Sequence, residues 1–116
     1  MTITQMFSYI ENACKTLFQN EIMSNITLVI DRRIRIFAEC QRIDKNNIKI
    51  SINSKLLEIN PNIVKNTLLH ELIHAWQFDN GYTNEGNGMH GKTFNMWCNY
   101  IYQKIRNKDT ATIHRI

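Results

Sequence analysis

The sequence predicts an α+β fold built from an N-terminal helix, a three-stranded antiparallel sheet, a long helix, a glycine-rich loop and a C-terminal helix. Apolar residues recur at spacings of three and four towards both ends of the chain, strict alternation of apolar and polar residues marks its middle, and all four glycines fall between residues 80 and 91. With 116 residues, of which 43% are hydrophobic and 21% charged, residues 1–116 are expected to form a single domain around one core.

Residues 4–20 place Phe7, Ile10, Cys14, Leu17 and Phe18 on one side of an amphipathic helix. Three β-rich runs follow, at 26–30, 34–40 and 48–52. The last, Ile48-Lys49-Ile50-Ser51-Ile52, alternates without exception, and Asp44 to Asn47 before it reads as a hairpin turn. A sheet with one wet face is expected, with Arg35 and Lys49 pointing outward. Residues 54–59 read as a short helical turn. Asn60-Pro61 is a capping side chain followed by a first-turn proline, and Asn80-Gly81 supplies a left-handed stop, so the long helix should run from Pro61 to about Asp79. Within it Val64, Leu68, Leu72 and Ala75 form an apolar stripe, and His70 and His74 lie on a different face. The last helix should run from about Lys92 to Asn107, burying Phe94, Trp97, Cys98, Ile101 and Ile105, with a frayed tail beyond it.

The long helix carries His70-Glu71-Leu72-Ile73-His74, an H-E-x-x-H pattern. Residues four apart on a helix stand one above the other, so two imidazoles can reach one metal ion, and zinc suits them. Glu71, about 100° round the helix from His70, can reach a water on that ion without ligating it. The chemistry implied is hydrolysis of a peptide or amide bond.

A catalytic zinc commonly has three protein ligands and one open position. The longer motif with glycine and a third histidine on the same segment is absent, because Gln77 and Asn80 occupy those places. His90 is the best third candidate, followed by Glu85, then Asp79 and His114. Cys98 lies eight residues beyond His90, about 12 Å along a helix, too far to share the ion. An open coordination position, and hence catalysis, is expected. Tyr82, Tyr100 and Tyr102 are candidate donors to an oxyanion, with none preferred.

Three cysteines, odd in number and never spaced C-x-x-C, write neither a disulfide framework nor a zinc ribbon. The N-terminus has no signal-peptide pattern and no run is apolar enough to span a membrane, so a cytoplasmic location, or a host cytoplasm, is expected. The formal charge of +4 is unevenly spread. Arg32, Arg33, Arg35, Arg42, Lys45, Lys49 and Lys55 crowd the middle of the chain, and Lys92, Lys104, Arg106, Lys108 and Arg115 its end. Such surfaces offer phosphate contacts to DNA and serve equally well to keep a protein in solution.

Together, Asn60-Pro61, Thr67 to Trp76 and, after the glycine-rich loop, His90-Gly91-Lys92-Thr93-Phe94 resemble the SprT-like (Spartan) zinc metalloprotease domain. Phe37-Ala38-Glu39-Cys40 and Ile48 to Leu57 look like that family's strand region. The resemblance implies a minimal zincin fold with zinc held by His70, His74 and His90 and with Glu71 as general base. It also implies proteolysis of protein substrates, in better-known members of proteins crosslinked to DNA, with DNA stimulating the cut. Two departures stand out. Many relatives carry a zinc ribbon after the protease domain, which this sequence does not show, and Glu39 stands where relatives commonly have glycine. The rival expectation is a nucleic-acid-associated binding module that keeps a metal-stabilised fold without proteolysis.

Overall fold

The first helix starts, and the second starts and ends, where the local chemistry asks it to. Thr2 caps α1 (Ile3–Thr16) by a reciprocal pair of hydrogen bonds, its hydroxyl accepting from the Gln5 amide while the Gln5 side chain accepts from the Thr2 amide. Asn60 caps α2 (Pro61–Asn80) by accepting from the Asn62 amide at 2.8 Å, and Gly81 closes that helix at φ +80°. The computed structural model describes the backbone of residues 1–114 and the side chains of residues 1–105. Over these residues the chain divides into two compact units, Met1–Gly81 and Tyr82–Ile116.

In the first unit, α1 is followed by β1 (Asn25–Ile30), β2 (Ala38–Asp44), β3 (Asn47–Ile52), a 3-10 turn (Ser54–Leu57) and α2. The α+β class is as the sequence predicts, but the sheet is mixed rather than wholly antiparallel. Its order is β1-β3-β2, with β2 antiparallel and β1 parallel to β3. The hairpin is the predicted one, a turn at Lys45-Asn46 in which the Asp44 carboxylate accepts from the Asn46 amide and the Asn47 side chain. β1 cannot then pair with β2 next to it in sequence, because β3 occupies the centre. Ile48, Ile50 and Ile52 are fully buried there, whereas no residue of β1 is. Residues 31–37 carry the chain from one edge to the other, a span of about 10 Å that seven residues cross easily.

This crossing also corrects the second strand. Residues 34–37 belong to the connection, and β2 runs four residues further than expected, to Asp44. Arg35 therefore lies on the connection and not on the sheet, while Lys49 is half-buried on β3. Asn53 pins the connection at two points: its amide donates to the Phe37 carbonyl at 2.8 Å and its side chain to the Ile34 carbonyl at 2.9 Å.

α2 lies against β2, and α1 against α2. The stripe of Val64, Leu68, Leu72 and Ala75 is fully buried, as its spacing predicts, and Leu69, Ile73 and Trp76 are buried as well. A helix apolar on most sides is a central helix. α1 buries Met6, Ile10 and Ala13, one position out of phase with the expected Phe7 and Cys14, and Phe7 is exposed.

In the second unit a loop containing a 3-10 turn (Asn87–Met89) leads into α3 (Lys92–His114). Phe94, Trp97 and Ile101 are buried as expected, but Cys98 and Ile105 are exposed, so the apolar stripe is narrower than predicted. The helix continues past Asn107, where the sequence pattern ends it.

Candidate metal centre and active site

His70, Glu71 and His74 share the middle of α2, held by the buried stripe of the same helix. The His70 and His74 rings are partly buried, with centroids 5.0 Å apart and planes inclined by 73°. This is the stacking that an i, i+4 pair on a helix dictates, and it lets both rings serve one ion. His74 Nδ1 lies 2.8 Å from Gln77 Oε1. An amide oxygen only accepts, so Nδ1 carries the proton and Nε2 is the unprotonated nitrogen, the form in which an imidazole ligates a metal. Gln77 is 0% exposed, so water does not compete for its amide oxygen. Sequence reasoning missed this role and saw in Gln77 only the absence of a glycine. The available signal was a polar residue one turn after His74 within an apolar run.

Glu71 is 6% exposed. Burial, with a smaller contribution from Glu39, pushes its carboxyl up to about 7. Glu71 and His70 line an open cleft of about 420 Å³ whose other walls come from residues 36–38 and from Asn66 and Thr67.

His90 belongs to the second unit, immediately before α3. Its Nδ1 donates to the Asn87 carbonyl at 3.0 Å, so Nε2 is again the unprotonated nitrogen. Its ring meets Phe94 edge-on, with centroids 4.6 Å apart. The other candidates have separate occupations. Glu85 accepts from both the Thr93 amide and the Thr93 hydroxyl and so caps the start of α3. The chain passes so closely there that a Cβ on Gly91 would sit 2.8 Å from the Glu85 carbonyl oxygen. Asp79 accepts from the amides of Met23 and Ser24, from the Ser24 hydroxyl and from Arg42, which fastens the end of α2 to the strands. The His114 side chain lies outside the described residues.

The cysteine thiols are free, with Cys14 and Cys40 partly buried. Burial raises all three, Cys14 to about 11, which leaves little thiolate for nucleophilic chemistry at neutral pH. Tyr82 and Tyr102 are exposed, and Tyr100 stands edge-on to Trp97. Arg32, Arg33 and Arg35 are exposed on the connection, Arg33 pairing with Asp31 at 3.1 Å, and Lys104 lies over the Tyr100 ring. The side chains of Arg106 and Lys108 lie outside the described residues. Among the described residues no helix is long and apolar enough to cross a membrane.

A family model, that of the SprT-like family, matches residues 4–114. The chain belongs to the SprT-like family. Among curated proteins it has no significant match. Membership gives this SprT-like chain a domain of metallopeptidase type, and the donor chemistry fits a metal: His70, His74 and His90 each offer one ring nitrogen. At His74 and His90 the opposite nitrogen is engaged by an oxygen acceptor, the arrangement that orients a ligating imidazole.

Proposed function

We propose that this SprT-like domain is a zinc-dependent endopeptidase in which His70, His74 and His90 hold the metal and Glu71 is the general base. The observation that carries the reading is Glu71 itself. A carboxylate 6% exposed and one residue from His70 is costly to bury, and a purely structural metal site has no use for it. Three imidazoles, with no fourth protein ligand grouped with them among the described residues, suit zinc with one open position.

A zinc ion held there would acidify a water molecule and polarise the scissile carbonyl. Glu71 takes the proton from the attacking water and returns it to the departing amine, which a carboxyl titrating near neutrality is suited to do. Gln77 keeps the His74 ring in its ligating tautomer. The substrate chain lies along the cleft between residues 36–38 and α2. β2 pairs only with β3 among the described residues, so its outer edge offers main-chain hydrogen bonds to an extended peptide.

The finer reading is that the substrates are proteins held on DNA. It is supported by Arg32, Arg33 and Arg35, which are exposed on the connection that also forms one wall of the cleft. The test is cleavage of a basic DNA-binding protein by the zinc-loaded wild type and by Glu71→Gln, with and without single-stranded DNA. Fragments from wild type alone establish the peptidase, and more of them with DNA establish DNA stimulation. Equal cleavage without DNA leaves a general peptidase. No fragments with zinc bound replaces it by a metal-stabilised binding module.

A further inference from the structure

The cleft beside His70 and Glu71 has two unlike walls. Ile36, Phe37 and Ala38 line it from the connection and the start of β2, and Asn66 and Thr67 line it from α2. Ile36 is 57% exposed and Phe37 49%. Two large apolar side chains in water are unremarkable when they move freely, but these are held. Asn53 donates to the carbonyls of both Ile34 and Phe37, and its side-chain oxygen accepts from the Lys55 amide, so the short segment carrying them is tied to the end of β3. A fixed apolar pair at the mouth of a cleft that contains the proposed general base is a surface shaped for contact.

The charge pattern narrows what that contact is. On the helical wall the Thr67 hydroxyl is spent on the Ile63 carbonyl at 2.8 Å, and Asn66 is neutral and exposed. Among the described residues Glu71 is the only carboxyl lining the cleft, and no lysine or arginine lines it. An acidic side chain entering there would lose hydration against Ile36 and Phe37 with no lysine or arginine on the walls to pair it, while an apolar one would cover them. A volume of about 420 Å³ leaves room for a large side chain and some of the chain that carries it.

We propose that this cleft is a specificity subsite selecting a large apolar residue, and rejecting an acidic one, beside the bond to be cut, with Phe37 and Ile36 setting the preference. The inference deepens the peptidase reading and rests on it for the word "cut", but the binding preference is measured without any cleavage. Zinc-loaded Glu71→Gln protein is titrated into two fluorescein-labelled, alanine-based peptides that differ at one central position, leucine in one and aspartate in the other. Fluorescence anisotropy should show the leucine peptide bound about tenfold more tightly, the size of discrimination an apolar pocket gives. Phe37→Arg in the same background should abolish or reverse that ratio, and Phe37→Leu should keep it. Phe37 is half exposed, so neither change disturbs the core. Equal or undetectable binding of the two peptides, or a ratio untouched by Phe37→Arg, overturns the proposal. A clear preference in Glu71→Gln alongside no cleavage by wild type would instead retire the peptidase reading and leave an apolar peptide-binding site.

Discussion

His74 Nδ1 and Gln77 Oε1 lie 2.8 Å apart, one helical turn from each other, with Gln77 wholly out of water. The bond decides which nitrogen of His74 carries the proton. Gln77→Ala removes the acceptor and frees the ring to change tautomer, so zinc affinity measured against a competing chelator should fall 10- to 100-fold. Gln77→Glu keeps an acceptor in place and should bind zinc at least as well as wild type. Unchanged affinity in Gln77→Ala would show that packing alone orients the ring.

The burial of Glu71 gives the metal-free protein a pH dependence of definite sign. Its carboxyl titrates near 4.5 when unfolded and at about 7 when folded, so the folded state binds the extra proton between those values. The stabilisation is fully present below about 4.5 and is lost as pH rises through about 7. The difference amounts to something on the order of 3 kcal/mol. Urea titrations of metal-free wild type and Glu71→Gln should diverge over this window, with the glutamine variant the more stable at pH 8. Parallel curves would mean that the carboxyl is solvated in the metal-free state.

Asp79 shows the opposite behaviour. Burial alone would raise its carboxyl, but hydrogen bonds from Ser24, Arg42 and Met23 outweigh that and hold it below the usual carboxylate range. Its stabilisation is present above the unfolded value and is lost as pH falls through the folded one. Asp79→Ala should cost about 2–3 kcal/mol at pH 7, because it strips charged hydrogen bonds and leaves Arg42 unpaired at one end. Arg42→Ala should cost less, since three donors to Asp79 remain. Chemical denaturation at pH 7 and pH 3 checks both, and the penalty for Asp79→Ala should shrink at the lower pH.

Gly91 is required by closeness. An added Cβ would meet the Glu85 carbonyl oxygen at 2.8 Å and the Glu85 Cβ at 2.9 Å, and these atoms belong to the segment that caps α3. Gly91→Ala must push the two apart, at a cost of about 1–3 kcal/mol. Because His90 is the neighbouring residue, zinc affinity should fall together with stability. Glu85→Ala, which removes the cap without a clash, should lower stability by about 1 kcal/mol and affect zinc less. A Gly91→Ala protein with wild-type zinc affinity would separate the cap from the ligand.

The difference between what was legible and what was not follows the range of the interactions. The limits of α2, the two-residue hairpin turn and the pairing of His70 with His74 on one helix depend on residues within a turn or two of one another, and the sequence by itself determined them. Asn60-Pro61 starts a helix, Gly81 stops one, and a spacing of four stacks two rings, whatever else the chain does. Tertiary structure decided the rest. Alternation marks β3 as a strand but does not say that it takes the centre, and β1 runs parallel to it because the crossing at residues 31–37 came before the hairpin. Asp79, Glu85 and Gln77 are polar residues whose partners depend on what folding brings near: the strands for Asp79, the start of α3 for Glu85, and for Gln77 a burial that leaves His74 as its neighbour. Local periodicity carries the elements because backbone geometry repeats along the chain. The partners of a buried polar side chain are set by which segments meet, and that is settled only when the core closes.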